Sequence, residues 1–316
     1  MLTLIARRLG SLMLTLAAVS ALIFVVMDVL PGDPAAIMLG TSASPDTLAA
    51  LRHELGLDQP LLVRYFLWLG SLITGDLGTS YTYGVPVAGL IAERLTVTLP
   101  LAVMAILISV LIAIPLGVAS AAKRNSSFDY LAGMLSQLFI AVPGFWVALL
   151  LILTFSISLG WTPAGGFPGW EAGLLAGLQA LLLPAIALAL PQAGVLTRVT
   201  RSSVLEVLHE DFVRTARAKG LPRRAALWRH AVPNALVPVI TILGLQFTFL
   251  IAGAILIENV FNLPGLGRLA YQALTQRDVI VMQDVVLFFA GLVIVMNFLV
   301  DLSYLVLDPR LRGGGR

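Results

Sequence analysis

The chain has 316 residues, 59% of them hydrophobic and only 12% charged, with a mean hydropathy of +0.95. A soluble domain is about a quarter charged, so this composition excludes an ordinary soluble fold and indicates an all-α, polytopic membrane protein. The net charge of +3 decides nothing by itself, and the absence of cysteine removes disulfides, thiolate metal sites and cysteine nucleophiles.

A membrane-spanning helix needs roughly 20 mostly apolar residues. Six stretches qualify: Leu9 to Leu30, Val97 to Ala119, Tyr130 to Ile157, Leu174 to Leu196, Ala235 to Ile257, and Val285 to Leu307. The first follows Arg7 and Arg8, but its apolar run exceeds a signal peptide's core and no small-x-small cleavage site follows it. It reads as a retained helix, with a twin-arginine export signal as the alternative.

Residues 31–96 form an outer segment with structure of its own. Ser44-Pro45-Asp46 has the form of an N-cap followed by proline at the first helical position, and Gly56 closes that helix. A second helix, Pro60 to Ile73, sets Leu62, Phe66, Leu69 and Ile73 on one face, suited to the membrane surface or to packing on other helices. The glycine-rich turn Gly75-Asp76-Leu77-Gly78-Thr79-Ser80 follows.

Pro115, Pro143, Pro184 and Pro191 lie in or beside spans, where proline removes a helical hydrogen bond and predicts a kink. With Gly144 and Gly194 beside the breaks, such bends suit either a cavity lining or plain packing. The outer segment Gly160 to Gly173 places Trp161 and Trp170 at the membrane interface. Glu258 to Asp284 holds the turn Leu263-Pro264-Gly265-Leu266-Gly267 and a short amphipathic helix from Arg268, with Leu269 and Ala273 on one side. The expected organisation is a first helix over 1–30, an outer segment over 31–96, a membrane core over 97–307 and a tail over 308–316 without regular structure.

Between the fourth and fifth spans lies the one long basic interruption, Phe212 to Pro238, with Arg214, Arg217, Lys219, Arg223, Arg224 and Arg229. Gly220 and Pro222 divide it into two short helices. In the second, Leu221, Ala225, Trp228 and Val232 form an apolar stripe opposite the arginines. Basic residues collect in cytoplasmic loops in any case, but that tendency explains neither the Gly-x-Pro break nor the stripe. Fifteen of the twenty lysines and arginines fall on the side that holds this stretch, which places both termini in the cytoplasm.

Spans two, three and five hold no ionisable group, and Asp28, Asp284 and Asp301 lie near span ends. Proton- and ion-driven carriers depend on intramembrane charges, so their absence speaks against a secondary carrier. Gln137, Gln179, Gln192 and Gln246, with Phe145 beside the Pro143-Gly144 break, are candidates to line a path; amides also serve as interhelical glue. No Gly-x-x-x-x-Gly-Lys-Ser/Thr loop occurs, nor any Ser/His/Asp or His-Glu-x-x-His constellation. His53, His209 and His230 lack metal-ligand spacing, so no catalytic or metal site is expected.

Arg214-Thr215-Ala216-Arg217-Ala218-Lys219-Gly220, followed by His230-Ala231-Val232-Pro233, resembles the coupling motif of ABC importer permeases, Glu-Ala-Ala-x-x-x-Gly, nine residues, then Ile-x-Leu-Pro. Gly220 and Pro233 stand at the motif's separation and Ala216 matches its second alanine. Arg214, Thr215, His230 and Val232 depart from it in the form seen in dipeptide/oligopeptide/nickel permeases. Leu30-Pro31-Gly32-Asp33-Pro34, Leu55-Gly56-Leu57-Asp58-Gln59-Pro60-Leu61, Gly75-Asp76-Leu77-Gly78 and Glu258-x-x-Phe261-x-x-Pro264-Gly265-Leu266-Gly267 extend the likeness to the first permease subunit of such systems.

The resemblance implies a MetI-like, type I ABC importer permease fold of six transmembrane helices with a periplasmic helical segment. It implies a bacterial or archaeal plasma membrane, a second homologous permease subunit, two ABC ATPases that bind ATP and Mg, and an external substrate-binding protein. No cofactor in this chain, no catalysis by it and no nucleic-acid partner are expected. Coupling then falls to residues 212–234, with Phe212 or Leu221 as anchors and Ala216 and Ala218 allowing close approach. Asp76, Glu258, Phe261, Pro264, Gly265, Gly267 and Asp278 become candidates for an outer gate or binding-protein contact. For Glu258, capping the turn that follows it is the alternative. The implied substrate is a short peptide, with nickel, glutathione or a sugar as alternatives on the same architecture.

Overall fold

The computed structural model describes residues 2–29, 34–40, 44–54 and 56–307. Pro31-Gly32-Asp33, Leu55 and the tail from Asp308, with Arg310, Arg312 and Arg316, lie outside the described residues. The described chain is helical, with one isolated bridge between Thr79 and Pro86. It forms two compact units, Met1–Val97 with Pro264–Val295, and Thr98–Leu263 with Met296–Arg316.

The first unit holds α1 (Leu2–Val29), α2 (Pro34–Leu39), α3 (Pro45–Glu54), α4 (Leu61–Thr74), α12 (Leu266–Gln276) and the opening turns of α5 (Val87–Ala122) and α13 (Val279–Leu307). Ser44 Oγ accepts the Thr47 N–H at 3.2 Å, the expected N-cap of α3. α4 ends at Gly75 in the left-handed conformation, φ +82°. Of the two placements expected for the apolar face of α4, the membrane surface or other helices, its exposure fits the first. Leu62, Phe66 and Ile73 are exposed, whereas Tyr65 and Trp68 set their rings 5.4 and 5.6 Å from Phe24 of α1. These two side chains combine apolar area with a polar tip. The Tyr65 hydroxyl meets Ser20 at 3.0 Å, and the Trp68 N–H reaches Asp284 at 3.4 Å. Arg64 adds an ion pair to Asp28 at 2.6 Å.

The second unit is built on α8 (Leu174–Leu208), which packs against α6 (Ser127–Ala141), α7 (Gly144–Leu151) and α11 (Val232–Val260). The buried side of α8 is rich in small residues, including Ala180, Ala185, Ala187, Ala189, Ala193 and Gly194. A Cβ on Gly194 would lie 2.6 Å from the Ser136 carbonyl oxygen of α6, and one on Gly117 of α5 would lie 2.7 Å from Thr200 Cβ. Both glycines are therefore places of close backbone approach, not hinges.

Among the described residues five helices are long and apolar enough to cross a membrane, and there are six if Ser127–Ala141 and Gly144–Ser158, a pair bent by 99°, count as one span. The third predicted span is thus not one straight helix. Pro143 has no N–H to continue the ladder and forces Val142 into an extended conformation at φ −83°, ψ 125°. Beyond α7 the chain widens into a π-turn, Ile152–Ser158. At Pro115, Pro184 and Pro191 the helices run on without a break, the freed carbonyls lying within packed helices. α8 also runs twelve residues past the predicted end of its span at Leu196, so Arg198 and Arg201 are helical, not loop, residues.

Gly194→Ala is expected to lower the thermal unfolding temperature of the purified protein in detergent, since overpacking against backbone costs about 1–3 kcal/mol. Gly89→Ala, where a Cβ meets nothing within 4 Å, is the control and should leave it unchanged or raise it slightly.

Candidate functional site

The basic stretch folds as α9 (Asp211–Ala218), a turn, and α10 (Arg223–Ala226). Gly220, at φ +93°, closes α9: its N–H donates to the Arg217 carbonyl at 3.0 Å and the Leu221 N–H to the Ala216 carbonyl at 3.2 Å. Both orphan carbonyls are thereby satisfied in the Schellman pattern. Asn262 closes α11 the same way at φ +53°, with its own N–H on Asn259 and the Leu263 N–H on Glu258.

The second helix differs from expectation. α10 passes directly into a π-turn, Leu227–Ala231, and then into α11, with Pro233 in the first turn. The wider turn shifts the register, so the buried residues are Ala226, Leu227, Ala231 and Val232, while Trp228 is half exposed. Of the predicted stripe of Leu221, Ala225, Trp228 and Val232, Val232 alone is buried. Leu227, Ala231, Val232 and Ala235 join Val118 and Ala121 of α5 and Val204 of α8 in one cluster. α9 buries Val213 and presents Phe212, Arg214, Thr215, Arg217, Ala218, Lys219 and Gly220 to the outside; Ala216, Leu221 and His230 are half-buried.

Beside this stretch, the α5–α6 corner and α8 are held by a carboxylate that the sequence reading missed. Asp129, in the first turn of α6, takes Arg201 of α8 in a bidentate pair, Nε at 2.6 Å and Nη2 at 2.7 Å. It also accepts the Ser120 hydroxyl of α5 and the Asn125 N–H. Its own N–H donates to Ser126 Oγ at 3.3 Å. The spacing Ser126-x-x-Asp129, a capping pattern, was the available signal. Asp129 and Arg201 line an open cavity of about 860 Å³ between α6 and α8, which also takes in Gln137 and Arg198.

Of the other path candidates, Gln192 and Gln246 are buried in helix packing, and the Gln246 Nε2 has no partner. Gln179 ties α8 to the preceding loop by donating to the Trp161 carbonyl at 3.1 Å, and Phe145 is exposed beyond the bend. Only Gln137 among the five lines the cavity.

The outer candidates divide between the two units. In the first, Asp278 is 1% exposed and opens α13. It accepts the Ser80 hydroxyl at 2.5 Å and the Thr82 N–H at 3.0 Å, so it clamps the loop that Asp76 shapes by accepting the Gly78 N–H. Burial, and then the charge of Asp278, raise the Tyr81 hydroxyl above its ordinary pKa. The exposed Asp58 is held below its ordinary value by its hydrogen bond with His53. Gly265 and Gly267 flank the start of α12, where Leu266 and Gly267 are buried. In the second unit Glu258 is fully buried and accepts the Thr98 hydroxyl of α5 at 2.7 Å. Phe261 is buried, and its carbonyl receives the Gly166 N–H at 2.7 Å. Glu258 and Asp278 are both buried against neighbouring segments of their own units.

This architecture has known counterparts. The family described as "Binding-protein-dependent transport system inner membrane component" matches residues 113–313, and its N-terminal companion matches residues 1–102. A protein of Brucella abortus (strain 2308), provisionally named a peptide transport system permease protein, is 45% identical over 312 residues, covering 99% of each chain. The glutathione transport system permease protein GsiC of Salmonella typhimurium (strain LT2) is 40% identical over 312 residues, again covering 99% of each. Among solved structures, the MetNI methionine ABC transporter in inward-facing form aligns with TM-score 0.59 at 18% identity, over 69% of this chain and 96% of that one. It shares the fold.

Because Arg201 is partly exposed and Asp129 is not, the two halves of their pair differ in consequence. Arg201→Ala strands a buried carboxylate and should cost about 3 kcal/mol in stability. Adding Asp129→Asn should restore part of that loss, a coupling that thermal unfolding of the single and double variants measures.

Proposed function

From its membership of the family of binding-protein-dependent transport system inner membrane components, we propose that the chain is the permease subunit of an ATP-driven importer of short peptides. Membership of the family makes it a multi-pass inner-membrane transport subunit that works with a binding protein and an ATPase. The substrate class rests on relatives of near-equal length at 40–45% identity, one named for peptides and one for glutathione, itself a small peptide. In this reading the chain carries no catalysis of its own; two ATPase subunits bind ATP and Mg, and a second homologous permease completes the path.

The lysine and arginine distribution supports a cytoplasmic placement of both termini and of α9. A short amphipathic helix that buries Val213 and leaves Phe212, Thr215 and Ala218 outward fits docking into a groove of the ATPase. The observation that carries the assignment is the continuity behind it. α10 and its π-turn run unbroken into α11, while their inner face is locked to α5 and α8. Movement of the docked ATPases thus acts on the membrane helices through a rigid lever rather than a flexible loop, which is coupling by a shared two-state element. Asp278 and Glu258 serve this reading from the other side, by fixing the outer loops against which a binding protein would seat.

Gly220→Pro removes the N–H that closes α9 and the left-handed residue with it. Together with a bulky Ala216→Trp, it should leave membrane insertion intact but reduce ATPase co-purification and binding-protein-stimulated hydrolysis on the order of tenfold. Undiminished stimulated hydrolysis in both variants would contradict the coupling assignment. Glu258→Gln keeps the Thr98 hydrogen bond and should preserve uptake, whereas Glu258→Ala should lower it.

A further inference from the structure

The cavity between α6 and α8 differs in chemistry from the faces that meet lipid. On α5, Leu99, Val103, Leu107 and Leu111 recur every four residues as an exposed, wholly apolar stripe. Half of the cavity's twelve lining residues are instead polar or charged: Asn125, Asp129, Gln137, Arg198, Arg201 and Ser202. Charged groups on a membrane-spanning helix are tolerated where they face protein or a water-filled space and mark the routes of polar solutes. These groups share the wall with apolar surface from Met134, Ile140, Val195 and Val199.

Its two arginines are treated differently. Arg201 is neutralised by the bidentate Asp129 carboxylate. Arg198, one turn earlier in α8, meets only a neutral amide among the described residues, its Nη1 donating to Gln137 Oε1 at 3.2 Å. The amide takes one of the guanidinium's five donors and leaves it without a carboxylate partner among the described residues, at the cavity wall. A planar guanidinium so placed matches a carboxylate, which it binds through two parallel hydrogen bonds. The carboxylate common to ordinary linear peptides is the C-terminal one.

Resting on the peptide-importer reading above, we propose that this wall forms part of the substrate passage and that Arg198, oriented by Gln137, receives the terminal carboxylate of the peptide in transit. The test uses the whole complex, with both permeases and ATPases in proteoliposomes and the binding protein added. Arg198→Gln should lower uptake of a free-acid peptide roughly tenfold, the worth of one charged hydrogen-bonded contact. Uptake of the same peptide as its C-terminal amide should be little changed, and Arg198→Lys should keep part of the free-acid rate.

The chain lacks cysteine, so a second arm is clean and decides the matter if the binding protein admits only the free acid. Arg198→Cys should react with a membrane-impermeant anionic methanethiosulfonate, and free-acid peptide, not the amide, should slow that reaction. Leu107→Cys, on the lipid-facing stripe, should stay unmodified. No modification at position 198, or equal protection by acid and amide, would overturn the proposal. So would a loss in Arg198→Gln that is equal for acid and amide and varies with the anionic phospholipid content of the vesicles, which would make Arg198 a lipid contact. Absence of any peptide uptake by the wild-type complex would strike the peptide reading itself, whereas intact uptake blind to Arg198→Gln strikes only this site.

Discussion

In a bilayer, lipid tails are as apolar as leucine, so helices gain little by exchanging lipid for one another and associate through close van der Waals contact instead. α8 is where this constraint is met. Half of its most apolar stretch is buried, the largest share among the described spans. Its alanines and Gly194 let α6, α7 and α11 approach nearly to backbone contact. Prolines 184 and 191 lie inside it without ending the helix. The positions of the bent α6–α7 pair and of α11, and with them the cavity, follow from this seam.

Helix ends carry the second layer of specification. α9 and α11 both stop in a Schellman closure, one at a glycine and one at an asparagine. Each closure turns the chain sharply without leaving buried carbonyls unpaired. Buried carboxylates then fix what lies beyond: Asp278 the loop around Ser80 and Thr82, Glu258 the start of the membrane part of α5 through Thr98, and Asp129 the α5–α6 corner. Asp278 and Asp129 are each satisfied by several donors, which makes them rigid joints. A transporter that relays motion from one face to another needs such joints at the ends of its helices more than it needs charge in their middles.

Much of this was legible in the residues. Spans, the α3 cap at Ser44 and the glycine closures depend on local chemistry, and local chemistry is written in consecutive positions. The Gly220 and Pro233 spacing pointed to the family before any fold was known. What escaped was set by tertiary context. The π-turn at Leu227–Ala231 rotates the buried face of the second helix by inserting a residue that no periodicity announces. The second, packing face of α4 was not legible, because Tyr65 and Trp68 bind through their polar tips as well as their rings. Arg198 and Arg201 looked like loop charges because hydropathy ends a span where the first arginine appears, although the helix goes on to Leu208. Without that continuation neither the Asp129 pair nor the cavity wall could be drawn.

In this reading the chain is a passive path whose motion is driven by ATPases acting on α9 and, beyond its Gly220 turn, on the unbroken run of α10 into α11. Peptide uptake into proteoliposomes measures it most directly, with the chain reconstituted either alone or with its partner permease, ATPases and binding protein. Uptake should require the full complex and internal or external ATP on the ATPase side, and should be indifferent to proton or sodium gradients. Gradient-driven uptake by the chain alone, without ATPase subunits, would contradict it.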